Sequence, residues 1–117
     1  MNQSDHINQM NANDKLISEL LFKKTIFYDW IIIIMFYACL HKIDYLLHQR
    51  RVYGSALKNH LQRNRKVFQN LPRNLYNSYN TLYLESVRLR YKQVNLFRIT
   101  LEDLRKYFKH WRKIKKV

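Results

Sequence analysis

The chain has 117 residues, with one glycine, one proline, one cysteine and a formal net charge of +14. So few turn residues exclude a β-sandwich or β-barrel, in which turns recur about every 8–12 residues, and a single glycine excludes a glycine-rich phosphate loop. A single cysteine excludes an internal disulfide and multi-cysteine metal sites. We therefore expect an all-α fold, a single-domain up-and-down bundle of four to five helices.

The positive charge is unevenly distributed along the chain. Residues 1–40 carry a net charge of −1, whereas residues 41–117 carry +15. A field of this strength attracts polyanions and is weakened by salt. Nucleic acid is therefore the expected partner, with an anionic membrane surface as the second candidate. Solubility alone would also account for the charge.

The longest apolar run, Trp30 to Leu40, has eleven residues. A helix that spans a bilayer needs about 20. The polar stretch Met1 to Asn13 lacks the basic start and apolar centre of a signal peptide. We expect no integral membrane segment and a cytoplasmic location.

The first helix is predicted to begin near Asp14, with Asn13 or Asp14 as its cap. We place the helical-bundle domain at residues 14–108 and treat residues 1–13 as a polar N-terminal extension that is either frayed or helical. The second helix is predicted over Tyr28–Arg50, because apolar side chains recur there at helical spacing. Its inward stripe comprises Asp29, Ile33, Phe36, Leu40 and Leu47.

Turn and cap residues separate the remaining helices. Gly54 allows the chain to turn after the second helix, and Ser55 is predicted to cap the third. Pro72 marks the start of the fourth helix, since proline is tolerated in a first turn. Thr100 and Asp103 resemble a capping box for the fifth helix. These helices are predicted over Ala56–Asn70, Pro72–Lys92 and Leu101–Lys115, and residues 109–117 form the basic C-terminal end of the last.

The third helix places polar side chains within its apolar face. His60 and Asn64 fall inside that face and Arg63 lies at its edge. Buried polar side chains need partners, so these three either form an interhelical hydrogen-bond network or open into a ligand site. Asp29 is predicted to pair with Arg63, to orient His60 or simply to cap the second helix. The apolar face comprises Leu57, Leu61, Val67, Phe68 and Leu71.

His41, Asp44 and His48 share a second stripe of the second helix. Their spacing of three and four residues could place metal ligands on one face. No second cluster of ligand residues accompanies them in the sequence. We therefore expect no metal and no cofactor.

The fourth helix carries aromatic and basic side chains together. Tyr76, Tyr83 and Arg90 recur at steps of seven residues, with Tyr91 beside Arg90. Tyrosines beside arginines can stack on unpaired bases, and they also often lie at the rim of a core. The predicted nucleic-acid-binding residues are Arg65, Lys66, Arg90, Tyr91, Lys109, Arg112 and Lys113.

Three segments of the sequence carry motifs that occur in the same order in a known protein family. The first is Tyr28-Asp29-Trp30 followed by Phe36-Tyr37-Ala38-Cys39-Leu40-His41, the second is His60-Leu61-Gln62-Arg63-Asn64, and the third is Tyr79 to Tyr91 with Ser86 and Arg90. The three segments resemble three parts of small prokaryotic proteins of the HEPN family. The first resembles their aromatic-Asp-Trp and Tyr-Ala-x-Leu-His helix, the second their His-x-x-Arg-Asn motif, and the third the end of their fourth helix. The resemblance covers about residues 14–108.

The resemblance implies an RNA-targeting helical bundle that is commonly dimeric. Many HEPN proteins are metal-independent endoribonucleases, whereas others are non-catalytic binding modules. The family's usual signature is an arginine followed after four to six residues by a histidine. That signature is absent after Arg63 and occurs as Arg105 to His110. Arg105 and His110 are therefore the alternative catalytic pair.

The resemblance gives catalytic roles to His60, Arg63 and Asn64. His60 would be the general base or acid, Arg63 would hold the phosphate, and Asn64 would orient the phosphate or the imidazole, with Asp29 as an orienting carboxylate. The implied partners are RNA, a second copy of the chain, and an antitoxin or nucleotidyltransferase-type protein in a toxin–antitoxin or antiviral defence system. The alternative is a non-catalytic module whose basic face binds nucleic acid or another protein.

Overall fold

The protein is all-helical in the residues that the computed structural model describes, which are 2–22, 28–91 and 99–117. A short 3-10 turn, Gly54–Leu57, joins the second and third helices. This architecture confirms the predicted all-α bundle. The helices are α1 (Gln3–Phe22), α2 (Tyr28–Gln49), α3 (His60–Asn70), α4 (Arg73–Tyr91) and α5 (Leu101–Lys115).

Helix α2 forms the centre of the bundle and contacts every other described helix. Residues on all sides of it are buried, from Ile31 to Leu47, as is typical of a helix that is apolar all round. By length and composition alone α2 could cross a membrane, but 72% of its most apolar window is buried inside the bundle. This packing is that of a core helix and is consistent with the expectation of no integral membrane segment.

Helix α1 begins at Gln3, so the predicted start near Asp14 is wrong. Asn2 and Asp5 form the cap: the Asn2 side chain accepts from the Asp5 amide (2.8 Å), and the Asp5 carboxylate accepts from the Asn2 amide (3.2 Å). His6, Met10 and Ile17 recur at helical spacing and are buried. Residues 3–13 are therefore helical, which is the second of the two alternatives considered for this stretch.

Asp14 joins α1 to α5 instead of capping α1. Its carboxylate accepts a hydrogen bond from Trp111 Nε1 (3.1 Å) and forms an ion pair with Lys115. Trp111 is almost completely buried. The basic last turns of α5 are thus held against α1 by a carboxylate 97 residues away in the sequence.

Asn59 caps α3, so the prediction that Ser55 caps it is wrong. The Asn59 side chain accepts from the Gln62 amide (2.9 Å), and the 3-10 turn occupies the residues before it. Gly54 begins that turn with a φ of 70°, the positive value expected of a turn glycine. At α5 the predicted capping box of Thr100 and Asp103 is confirmed.

The apolar face predicted for α3 is only partly buried. Val67 and Leu71 are buried, whereas Leu61 is 68% exposed and Phe68 is 52% exposed. Helix α3 lies on the outside of the bundle and packs against α2 and α4. Because an 11-residue helix at the surface buries only a narrow strip, half of its apolar pattern faces solvent.

Candidate functional site

His60 lies at the start of α3 and is half-buried. Its ring packs against the rings of Tyr83 on α4 (5.5 Å between centroids) and Phe36 on α2 (6.1 Å). Its Nδ1 atom is buried and has no hydrogen-bond partner among the described residues. Most buried polar atoms in folded proteins are hydrogen-bonded, so the unsatisfied Nδ1 atom makes the surroundings of His60 a candidate ligand site.

The charges around His60 favour its neutral form. Burial lowers the pKa of His60 below its ordinary value of 6.5, the positive charges of Arg63 and Arg90 lower the pKa further, and Asp44 raises it. A neutral imidazole can accept a proton at neutral pH. The site therefore combines a proton acceptor with two nearby positive charges.

Arg90 is fixed beside the aromatic residues of α2. Its Nη1 donates to the hydroxyl of Tyr37 (2.7 Å) and its Nε donates to the carbonyl of Ser86 (3.2 Å). The guanidinium also lies 5.4 Å from the ring centroid of Tyr37 and 5.7 Å from that of Phe36, within the range of cation–π attraction. The sequence placed Arg90 among general nucleic-acid contacts, whereas the fold brings it to the surroundings of His60.

Ser86, one turn before Arg90 on α4, carries a second buried polar atom without a hydrogen-bond partner among the described residues. Its side chain is fully buried, and its hydroxyl has no hydrogen-bond partner among the described residues. Tyr83, Ser86 and Arg90 are three and four residues apart and so share one face of α4. That face meets α2 and α3 at His60. We call His60, Tyr83, Ser86 and Arg90 the His60 site.

Asn64 and Arg63 both have intramolecular partners. The Asn64 side-chain oxygen accepts a short hydrogen bond from the hydroxyl of buried Tyr79. Arg63 donates to both carboxylate oxygens of Asp44, from Nε at 2.8 Å and from Nη2 at 3.3 Å, and Nη2 also donates to the Leu57 carbonyl. Both residues therefore join α3 to the rest of the bundle, as the network alternative expected.

Asp44, and not Asp29, is the carboxylate that pairs with Arg63. Asp29 lies in the first turn of α2, fifteen residues before Asp44, which is about 22 Å along a helix. The predicted pairing of Asp29 with Arg63 is therefore wrong. A position in a first turn suits a carboxylate by itself, in keeping with the simplest of the three roles considered for Asp29.

A second group of histidines lies near the Asp44–Arg63 pair. The Nδ1 atoms of His6 and His41 are 2.8 Å apart, and the His6 ring lies 5.2 Å from the ring of His48. His6, His48, Asp44 and Arg63 help to line a pocket of about 450 Å³. We call His6, His41 and His48 the histidine cluster.

Two members of the histidine cluster, His6 and His41, are stabilised in their neutral forms. Burial lowers the pKa of both His6 and His41, and the Asp44 charge partly offsets this. Within the described residues, no group of three His, Cys, Asp or Glu side chains is arranged to hold a metal ion. His6 is not among the residues predicted from the sequence, because residues 1–13 were expected to lie outside the bundle. The four-residue spacing of His6 and Met10 was the available signal.

The alternative pair, Arg105 and His110, does not come together as a site. Arg105 is exposed, whereas His110 is half-buried and its Nδ1 lies 3.1 Å from the hydroxyl of Ser78. Residues five apart on a helix point about 140° away from each other. This geometry separates the arginine from the histidine.

The predicted nucleic-acid contacts are dispersed over two surfaces. Lys109, Arg112 and Lys113 are exposed on α5, and Arg65 is exposed on α3, where Lys66 is half-buried. The side chain of Tyr91 lies outside the described residues. On α3, Arg65 and Lys66 follow His60 by five and six residues. The basic residues of α5 form a separate surface.

Comparison with protein-family models, with curated proteins and with solved structures finds no match to this chain.

Proposed function

We propose that this protein binds RNA and cleaves it as a metal-independent endoribonuclease of the HEPN type, with His60 as the proton-transfer residue. The observation that carries the proposal is the half-buried His60 imidazole, whose Nδ1 has no hydrogen-bond partner among the described residues. A lowered pKa favours its neutral form at neutral pH, and two arginines lie near it. The net charge of +14 supplies the long-range attraction to a polyanion.

The chemistry needs only groups that the chain carries. The 2′-hydroxyl of RNA attacks the adjacent phosphorus and gives its proton to a base, which is the role we assign to His60. The new O2′–P bond forms as the P–O5′ bond breaks, and an acid protonates the leaving 5′ oxygen. Arg90 and Arg63 stabilise the charge that develops on the phosphate. The products are a 2′,3′-cyclic phosphate and a 5′-hydroxyl.

The general acid in this scheme is the His60 of a second copy of the chain, brought close in a homodimer, and the bound phosphate favours the protonated form of that imidazole. By resemblance, the cellular setting is a toxin–antitoxin or antiviral defence system, with an antitoxin or nucleotidyltransferase-type partner. The resemblance alone supports this setting.

The test is cleavage of an end-labelled RNA oligonucleotide in the presence of EDTA. We expect the wild-type protein to produce 2′,3′-cyclic phosphate ends. His60→Ala should abolish cleavage and retain RNA binding, because most of the affinity comes from lysine and arginine. His110→Ala is the matched control and should cleave normally per folded molecule. Cleavage that survives His60→Ala, or that is lost in His110→Ala, would overturn the assignment.

A second candidate function is RNA binding without cleavage. The observation that favours it is that Asn64 and Arg63, two of the three residues in the His-x-x-Arg-Asn segment, are already hydrogen-bonded within the chain. Groups that hold the fold together are less available to a substrate. Salt-dependent RNA binding by a wild-type protein that leaves the RNA intact would establish this function in place of the first.

A further inference from the structure

The outer face of α3 combines exposed apolar and basic side chains. Leu61, Arg65 and Phe68 are four and three residues apart and so lie on one side of the helix. All three are exposed, with Leu61 at 68% and Phe68 at 52%. Arg73, at the start of α4, lies against the Phe68 ring. We call Leu61, Arg65, Phe68 and Arg73 the α3 stripe.

The Phe68 ring is held in position although half of its surface is open. Tyr76 packs edge-on against it with 5.1 Å between centroids, and the guanidinium of Arg73 lies 5.1 Å from its centroid. A ring fixed in this way loses little freedom when a further flat group packs on it. Exposed apolar side chains rimmed by charge are typical of binding surfaces.

The stripe leads to the His60 site. Leu61 follows His60 directly, and Phe68 lies eight residues after His60, which is about 12 Å along the helix. Successive stacked nucleotides of one strand are about 3.4 Å apart. The distance from His60 to Phe68 is thus that of a few nucleotides, and Arg65 lies between the two.

We propose that the α3 stripe binds single-stranded RNA, with a base stacked on Phe68 and the backbone passing Arg65 towards the His60 site. The inference rests on the proposed function, because it names the substrate class for that site. Bases stack on fixed aromatic rings irrespective of sequence, and neighbouring arginines hold the phosphates. In a double helix the bases are stacked on each other and cannot reach Phe68.

Charge argues for RNA over a second copy of the chain as the occupant of this surface. In a symmetric contact through this stripe, Arg65 and Arg73 of one copy would face the same arginines of the other, and these like charges repel. An unpaired RNA strand supplies both the flat apolar groups and the negative charge that the stripe lacks.

The test measures binding of three fluorescein-labelled probes by anisotropy: an unstructured RNA 12-mer, a duplex of the same length and an acidic amphipathic peptide. Phe68→Ala should weaken binding of the single strand about tenfold and leave duplex binding unchanged. Phe68→Trp should restore the affinity, since tryptophan also stacks. Leu84→Ala is the matched control, because Leu84 is an exposed apolar residue on another surface.

Several results would overturn the inference. One is equal binding of the single strand by Phe68→Ala and wild type. Another is that Phe68→Ala loses binding of the acidic peptide but not of the single strand. A third is that Phe68→Ala changes the oligomeric mass measured by light scattering without changing RNA affinity. None of these results concerns cleavage by His60, so the proposed function can fail or survive separately. Circular dichroism of each variant confirms folding, which an exposed side chain should not affect.

Discussion

The two histidine sites of this protein both lie near the Asp44–Arg63 pair and differ in whether their polar atoms have hydrogen-bond partners. In the histidine cluster, His6 and His41 lie within hydrogen-bond distance of each other, at 2.8 Å. In the His60 site, the buried Nδ1 of His60 and hydroxyl of Ser86 have no hydrogen-bond partner among the described residues. Paired atoms stabilise a fold, whereas unmet buried atoms reduce its stability. The first site therefore serves the structure and the second is the candidate for function.

Loss of the Asp44–Arg63 pair, which lies near both sites, should cause the largest change in the free energy of unfolding. Asp44→Ala leaves the Arg63 guanidinium, whose side chain is 14% exposed, without its carboxylate. Removal of one partner of a buried ion pair costs about 3 kcal/mol of unfolding free energy. Urea denaturation measures it, and Asp44→Ala combined with Arg63→Met should recover part of the loss. A loss below about 1 kcal/mol would mean that the pair is effectively solvated.

Loss of the hydrogen bond between Asn64 on α3 and Tyr79 on α4 should reduce the free energy of unfolding by a smaller amount. Tyr79→Phe removes the hydroxyl that donates to Asn64 while keeping the buried ring. The variant should lose about 1–2 kcal/mol of unfolding free energy, because the Asn64 oxygen is left without its donor. Tyr53→Phe is the control, since Tyr53 is 55% exposed. Equal stability of the two variants would show that Asn64 is free to bind a ligand.

The histidines should make the protein less stable in acid. Burial lowers the pKa of His6, His41, His60 and His110 below 6.5. Below about pH 6.5 the unfolded chain therefore binds more protons than the folded one, so stability is complete above that pH and falls as the pH decreases towards the folded pKa values. Urea midpoints between pH 7.5 and 5 measure the slope.

Removal of one of these histidines should weaken the dependence of stability on pH. His6→Gln removes one of the four titrating groups and should flatten the slope, whereas Gln9→Ala, on the exposed side of α1, should leave it unchanged. Stability that increases on acidification would contradict the lowered pKa values.

The smallest expected effect on stability comes from His60 itself. His60→Leu removes an imidazole whose buried nitrogen is unmet, so the unfolding free energy should stay the same or rise slightly. His41→Leu, in the histidine cluster, should instead lose about 1 kcal/mol, because it leaves His6 without its partner. A large destabilisation by His60→Leu would indicate a structural histidine and would remove the distinction between the two sites.

The sequence predicted most of the local structure correctly because local structure follows from neighbouring residues. The bounds of α2 and the start of α4 agree with the prediction to within one residue, and α5 agrees fully, whereas the predicted end of α4 at Lys92 lies outside the described residues. The capping box at Thr100 needs only two side chains three residues apart. The start of α1 was missed because few apolar residues precede Asp14. Its helical state depends on packing of His6 and Met10 against α2.

The candidate site was only partly predictable for a geometric reason. Periodicity shows on which side of a helix a residue lies, but not which neighbouring residue stands at the same height. Asp29 and Asp44 both lie on α2, and only the packing of α3 shows that Asp44 meets Arg63. In the same way, helical spacing marked Leu61 and Phe68 as part of an apolar face without showing that α3 turns them to solvent.

The most direct test of the difference between the two sites is a histidine NMR titration. In the protein with 13C-labelled histidine, the ring signals of His60 are followed over pH with and without an unstructured RNA oligonucleotide. A bound phosphate favours the charged imidazole, so RNA should shift the His60 signals and raise the pKa of His60, while the signals of His6 and His41 stay in place. Bound RNA that leaves the His60 signals unchanged, or that shifts the histidine cluster in their place, would contradict the assignment.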